Sequence, residues 1–255
     1  MNNKLTEVLR KIVLVLSVLV FIACAVYLVS VYYPNDKNPD MAIGNDLLFN
    51  DFDNQQKKFL DYVRDLKNEN KEMYGYLSIK DTKINYPVMF IDNNDYYLTH
   101  NFYKKYDRHG ALFIDCNTQV NQSQNLLIYG HSMLDGTMFG GLHKFKNKSH
   151  WEKHNSLVFA TMEEVYVYDI FAVVYTEIYP SSSDKFRYHT FINIFSNDDF
   201  DTYVSNMKKL SSYNTNITPS YGDQLITLST CIDAKSNRRL VIVARRQVAS
   251  VLTDE

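Results

Sequence analysis

The stretch ITLSTCIDAKSNRR at residues 226–239 sets one of only 3 cysteines in this 255-residue chain between two apolar runs. Leu225–Leu228 reads as a buried strand and Cys231 comes just past its end. A polar Asp/Lys/Ser/Asn turn follows, and Arg238 and Arg239 lead into a second apolar strand beginning at Leu240. In cysteine chemistry the reactive species is the thiolate, and nearby positive charge lowers the pKa that controls its formation. A strand-end cysteine beside two arginines meets that need. A satisfied core cysteine is the competing reading, and this stretch alone leaves both open.

A cysteine nucleophile requires a base or ion-pair partner and a group to stabilise the oxyanion. Among the 7 histidines, His131 is the best placed. In NLLIYGHSM it follows an apolar strand by two residues, after Gly130, which would permit a sharp turn. That is the same strand-end position as Cys231, and catalytic groups favour loops held by such a scaffold. The other histidines lie in polar or lysine-rich surroundings. For the oxyanion, a short hairpin between the two strands would return Arg239 close to Cys231, and its guanidinium keeps its charge and several donors. Two solvated turn residues are the plainer account of Arg238 and Arg239. Arg245 and Arg246, after the last strand, read as surface. His150 and His154 are four apart, but HWEKH lacks the glutamate placement of the H-E-x-x-H zinc motif and shows no third ligand. A solvated surface explains that pair better, and neither metal nor cofactor is expected.

The elements that must position these residues are legible as short runs. Residues 34–50, with Pro34, Pro39 and Gly44, form a polar linker. From Asp51 the apolar residues Phe52, Phe59, Leu60, Val63 and Leu66 fall at helical spacing until residues 68–71. Strands are expected at Tyr76–Ile79, Tyr86–Phe90, Ala111–Ile114, Leu126–Tyr129, Leu157–Thr161, Val165–Thr176, Leu225–Leu228 and Leu240–Ala244. Many short strands separated by polar turns, with 20 Tyr and 15 Phe, suggest a closed or nearly closed β-barrel. Between Thr176 and Gly222 an insertion carries a helix near 198–210, where Phe200, Tyr203, Val204, Met207 and Leu210 share a face.

Residues 12–33 contain no charged side chain, and Lys4, Arg10 and Lys11 precede them. About 20 apolar residues span the hydrocarbon core. The expectation is a single transmembrane signal anchor at 12–33, a cytoplasmic tail at 1–11, and everything later outside the cell. A cleaved signal peptide fits less well, because the run is long and no small-residue cleavage site follows. The formal net charge of -2 and the 22% charged residues argue against a nucleic-acid partner.

Taken together, Thr227-Leu228-Ser229-Thr230-Cys231, the later Arg239 and YGHSM upstream strongly resemble the sortases, cysteine transpeptidases anchored on the outer face of Gram-positive membranes. The likeness runs from about Tyr74 to Arg246. It resembles class B in particular through the helix before the barrel, the helix-bearing insertion, and HGALFID ahead of LLIYGHSM. It implies an eight-stranded sortase barrel at 71–250, preceded by the linker and helix at 34–70 and followed by a tail at 251–255. It further implies Cys231 as nucleophile, His131 as acid/base partner and Arg239 as oxyanion or substrate holder. The implied reaction cleaves a C-terminal sorting signal after Thr through a thioester, which an amine from peptidoglycan or its cross-bridge resolves. Signals of the Asn-Pro-x-Thr-Asn or x-Pro-x-Thr-Gly type are the expected partners. By the same resemblance Asn94, Leu98, Tyr129 and Ser229 match substrate-groove positions, and the insertion near Lys185–Tyr188 supplies one wall. Two other functions compete. A papain-like wall peptidase would place its cysteine at a helix start and before its histidine. A non-enzymatic wall-binding β-domain would tolerate Cys231→Ala.

Overall fold

The computed structural model describes residues 52–232 and 237–247, with Val13, Ser17, Val20 and residues 22–24 near the N-terminus. The chain separates into two compact units, 1–40 and 41–255. The few described positions of the first unit are helical and exposed, Cys24 among them. The rest of the expected 12–33 span, the 34–50 linker and the tails at 1–11 and 251–255 lie outside the described residues. Among the described residues no helix is long and apolar enough to cross a membrane.

In the second unit, helix α1 (Phe52–Glu69) precedes strands β1 (Met73–Ser78), β2 (Asn85–Met89), β3 (Leu112–Ile114) and β4 (Asn125–Tyr129). Helix α2 (Lys148–Lys153) leads into β5 (Ser156–Ala160) and β6 (Val165–Glu177). The insertion follows with helix α3 (Asn197–Leu210), then β7 (Leu225–Cys231) and β8 (Arg238–Arg246). The eight strands close a barrel in the order β1-β2-β3-β4-β7-β8-β6-β5, with β2–β3 and β4–β7 parallel and the other pairs antiparallel.

Alternation along each strand divides the core into layers. Ile128, Ile226, Leu228, Leu240 and Ile242 point into the barrel. Leu127, Leu225, Val241 and Val243 point outward and are covered by the insertion through Tyr188, Phe200, Tyr203 and Met207. On another side, Phe59, Val63 and Leu66 of α1 bury against Met73 and Tyr76 of β1, with Phe59 and Tyr76 edge to face at 5.6 Å. Helix α3 begins as its sequence requires: Ser196 accepts from the Asp199 amide at 3.1 Å, and Asp198 and Asp199 occupy the first turn. Leu210, expected on its buried face, is instead 42% exposed.

Three local expectations are corrected. Strand β7 continues past Leu228 to Cys231, because the hydroxyls of Ser229 and Thr230 find partners in Tyr188 and the Gly130 carbonyl, and polarity does not end the strand. Strand β8 begins at Arg238, since β6 extends far enough to pair Glu177 with Arg238 and Thr176 with Arg239. It also runs through Arg245, which is paired with Asp169 at 3.4 Å and Asp223 at 4.0 Å, and Arg246, which lies 4.7 Å over the Tyr166 ring.

Candidate active site

The register of β7 and β8 places Cys231 directly opposite Arg239. Cys231 is the last residue of its strand and half-buried. It continues the outward-facing series Leu225, Thr227 and Ser229, and Arg239 likewise continues the series Val243 and Val241. Both therefore belong to the barrel face on which the insertion packs. The hairpin was legible in sequence, but Arg239 reaches Cys231 as a paired strand residue, not as a turn residue. Arg239 donates from Nη1 to the Arg238 carbonyl at 3.1 Å.

His131 arrives from the neighbouring strand. Tyr129 of β4 is the register partner of Ser229 in β7, so His131 and Cys231 each lie two residues beyond the same rung of a parallel ladder. The strand ends are tied: Thr230 donates its hydroxyl to the Gly130 carbonyl at 2.7 Å, and the Gly130 amide meets the Ser229 carbonyl at 3.4 Å. Gly130 is glycine for a different reason from the expected turn. A Cβ there would lie 2.4 Å from Leu112 Cδ2 and 2.9 Å from Phe139 Cδ2, so the site needs close packing. The His131 Nε2 lies 2.7 Å from the carbonyl oxygen of Leu98. A carbonyl only accepts, so Nε2 carries a proton and Nδ1 is the ring nitrogen left for chemistry.

Of the four expected substrate positions, Asn94, Leu98 and Tyr129 are half-buried and Ser229 is buried. Leu98 lies in the 3-10 turn Tyr96–Leu98 and is half-buried against the α1 side of the barrel. Asn94, just before it, donates to Asp115 Oδ2 at 3.2 Å and accepts from the Cys116 amide at 2.8 Å. Tyr129 donates to the same Asp115 oxygen at 3.1 Å. Ser229 is buried, and its hydroxyl is 2.7 Å from that of Tyr188 in the insertion. Burial pushes Tyr188 up to about 12, opposed by its Ser229 bond and by Arg239, while the Cys231 thiol adds to the rise. Cys231 and Arg239 thus both act on the insertion tyrosine electrostatically, in opposite directions. His189, beside Tyr188, is held below the usual histidine range by burial and by the charges of Arg187 and Arg239, with Asp115 opposing.

Strand register and hydrogen bonds link the seven candidate residues into one neighbourhood: Cys231 opposite Arg239, Ser229 opposite Tyr129, His131 bonded to Leu98, and Asn94 and Tyr129 sharing Asp115. Sequence reasoning passed over Asp115 and Thr230, whose importance lies in partners distant along the chain. Cys116 is half-buried just past β3, and its thiol is pushed up by desolvation and by the Asp115 charge. Among the described residues no cluster of three His, Cys, Asp or Glu side chains is arranged to hold a metal ion.

Residues 77–247 match the family model described as Sortase domain. The chain is 38% identical over 172 residues to Sortase B of Listeria monocytogenes, covering 67% of each protein. Its fold superposes on sortase B from B. anthracis in complex with AAEK1 with a TM-score of 0.62 at 33% identity, over 72% of this chain and 82% of that one. A Staphylococcus aureus sortase B–substrate complex aligns with a TM-score of 0.65 at 25% identity, over 77% of this chain and 96% of that one. The papain-like and non-enzymatic readings are set aside by this likeness, which agrees with a cysteine at a strand end and a histidine earlier in the chain. The chain belongs to the sortase family of cysteine transpeptidases, among the class B enzymes.

Proposed function

We propose that Cys231, His131 and Arg239 carry a transpeptidation that joins proteins bearing a C-terminal sorting signal to a cell-wall amine. The Cys231 thiolate attacks the carbonyl carbon of the signal's Thr. Arg239, across the strand pair, stabilises the oxyanion that forms. The carbon–nitrogen bond then breaks, and His131 Nδ1 delivers a proton to the departing amine, leaving a thioester on Cys231. A peptidoglycan amine attacks the thioester, gives up a proton to His131, and releases the thiolate. The groove holding Asn94, Leu98, Tyr129 and Ser229 would bind an extended peptide of the Asn-Pro-x-Thr-Asn or x-Pro-x-Thr-Gly type. This chemistry acts at the outer face of the membrane, with residues 12–33 as the tether.

The observation that carries the reading is the rung on which Cys231 faces Arg239, with His131 tied to the adjacent strand end. The test is to incubate the full chain in detergent with peptides containing Asn-Pro-Gln-Thr-Asn and Pro-Pro-Ala-Thr-Gly. Cleavage after Thr is expected, with an acyl adduct mapped to Cys231 and lost in Cys231→Ala. An adduct on another residue, or cleavage that survives Cys231→Ala, would overturn it.

A further inference from the structure

We infer that Asp115 is a positioning residue of this groove, orienting the Asn94 amide and the Tyr129 hydroxyl toward a bound sorting peptide. The inference rests on the proposed reading of the groove and adds to it a residue outside the Cys–His–Arg set. Asp115 lies just beyond β3 and is only 4% exposed. Burying a carboxylate is costly unless its oxygens are met by donors. Here four donors from three chain segments do so. Oδ1 accepts from the Asn117 amide at 2.9 Å and from Asn117 Nδ2 at 3.1 Å. Oδ2 accepts from Asn94 Nδ2 at 3.2 Å and from the Tyr129 hydroxyl at 3.1 Å.

Because an ionised carboxylate only accepts, these bonds decide what the groove offers. The Tyr129 proton is committed to Asp115, so its oxygen faces other groups as an acceptor. Burial and the Asp115 charge both raise the Tyr129 pKa, which keeps that proton in place. One Asn94 amide hydrogen is committed likewise, and its Oδ1 is taken by the Cys116 amide, leaving the second amide hydrogen as a donor. An acceptor and a donor of fixed identity suit an extended backbone, which alternates carbonyl and amide groups. Without Asp115 the amide would be free to rotate and the hydroxyl free to reverse its role. Neither residue touches Asp115 through its backbone, so the carboxylate acts on groove polarity while leaving the strands intact.

The test compares the full chain with Asp115→Asn, which keeps size but replaces an acceptor with a donor. Peptide affinity is read by fluorescence anisotropy on the Cys231→Ala background, and turnover on the native cysteine. Expected are a loss of roughly ten-fold or more in affinity and in kcat/KM, carried mainly by KM, as for an unsatisfied buried polar group. Iodoacetamide labelling of Cys231 should keep its rate. Tyr129→Phe should weaken binding by itself, and adding it to Asp115→Asn should cost less than the sum of the single losses. Unchanged affinity in Asp115→Asn, additive losses in the double variant, or a matching fall in Cys231 labelling would each overturn the inference. Binding that depends on Asp115 in a chain that does not cleave would instead sink the catalytic reading and leave this one standing. A native chain that neither binds nor cleaves either peptide would sink both.

Discussion

The ring Nε2 of His131 donates to the main-chain carbonyl of Leu98 at 2.7 Å, joining residues 33 positions apart. The contact sets the tautomer of the candidate acid/base and ties it to the 3-10 turn Tyr96–Leu98. No side-chain carboxylate is needed for that purpose, since a carbonyl accepts without carrying a charge. In the proposed reaction, a peptide held at Leu98 and a proton carried by His131 would therefore be mechanically linked.

Because His131 is held by backbone, truncating the Leu98 side chain should not release it. Leu98→Ala should raise KM and cost about 1–2 kcal/mol of stability, less than a fully buried leucine. His131→Gln should abolish acyl-adduct turnover while keeping peptide affinity. Steady-state kinetics of both variants, with anisotropy for binding, checks the split. A kcat loss in Leu98→Ala as deep as that in His131→Gln would refute it.

Arg239 faces Cys231 from a strand, and its planar fork offers several donors from a fixed direction. Arg239→Ala should lower kcat by about 10²–10³-fold, the usual cost of removing an oxyanion donor. Arg239→Lys, which keeps the charge but not the fork, should recover only part of that loss. Full recovery with lysine would mean that charge alone suffices. Thermal unfolding of each variant separates chemistry from packing.

The threonines of TLSTC have structural duties that can be told apart. Thr227 donates to Asn125 Oδ1 at 2.8 Å and accepts from Tyr203 at 2.5 Å, all three buried. Thr227→Val would leave both partners unsatisfied and should cost about 2–4 kcal/mol. Thr230→Val, which breaks the tie to the Gly130 carbonyl, should cost less stability but more kcat, because it loosens His131. Urea unfolding and kcat measured together check that the two rank in opposite orders.

Acid should destabilise the fold in two stages. His143, His150 and His189 are all held below the ordinary histidine range, each chiefly by burial, with Lys146 acting on His143. Their unfolded forms bind protons more readily, so stability is full above about pH 6.5 and falls as pH drops from there toward the folded values. Asp107 and Glu72 are also held low, by His109 and by Lys104 and Tyr97 respectively, despite burial that opposes the shift. Their contribution persists until about pH 4 and is lost below it. Urea midpoints between pH 8 and 3 check this. A flat profile from pH 7 to 5 in the native chain, or no flattening of that stretch in His143→Gln, would contradict it.

The thiol of Cys116 is pushed up by desolvation and by Asp115, so little of it is thiolate at neutral pH. Alkylation of Cys231→Ala at pH 7 should therefore label Cys116 slowly, with the rate still climbing at pH 9. Asp115→Asn should speed that labelling by removing the negative charge. Peptide mapping by mass spectrometry gives both rates, and a Cys116 rate unmoved by Asp115→Asn would discount the electrostatic cause.

What sequence alone determined was local. Apolar alternation and turn residues located all eight strands, because a strand half-exposed to a barrel core carries its own period. The spacing of Phe59, Val63 and Leu66 likewise set α1 against an apolar face. Cys231, His131 and Arg239 stood out as candidates because each lies near a strand end, where polarity changes abruptly, and only the family resemblance joined them into one set. Tertiary structure decided what those ends do. Gly130 and Thr230, 100 positions apart, meet only because β4 and β7 lie parallel in a closed barrel. No local pattern encodes that adjacency, which depends on all eight strands packing at once. Asp115 was illegible for the same reason: an aspartate after an apolar run looks like a turn residue until Asn94, Asn117 and Tyr129 converge on it. Periodicity records which side of an element is buried, whereas a buried polar group acquires its role from partners that only the folded chain assembles.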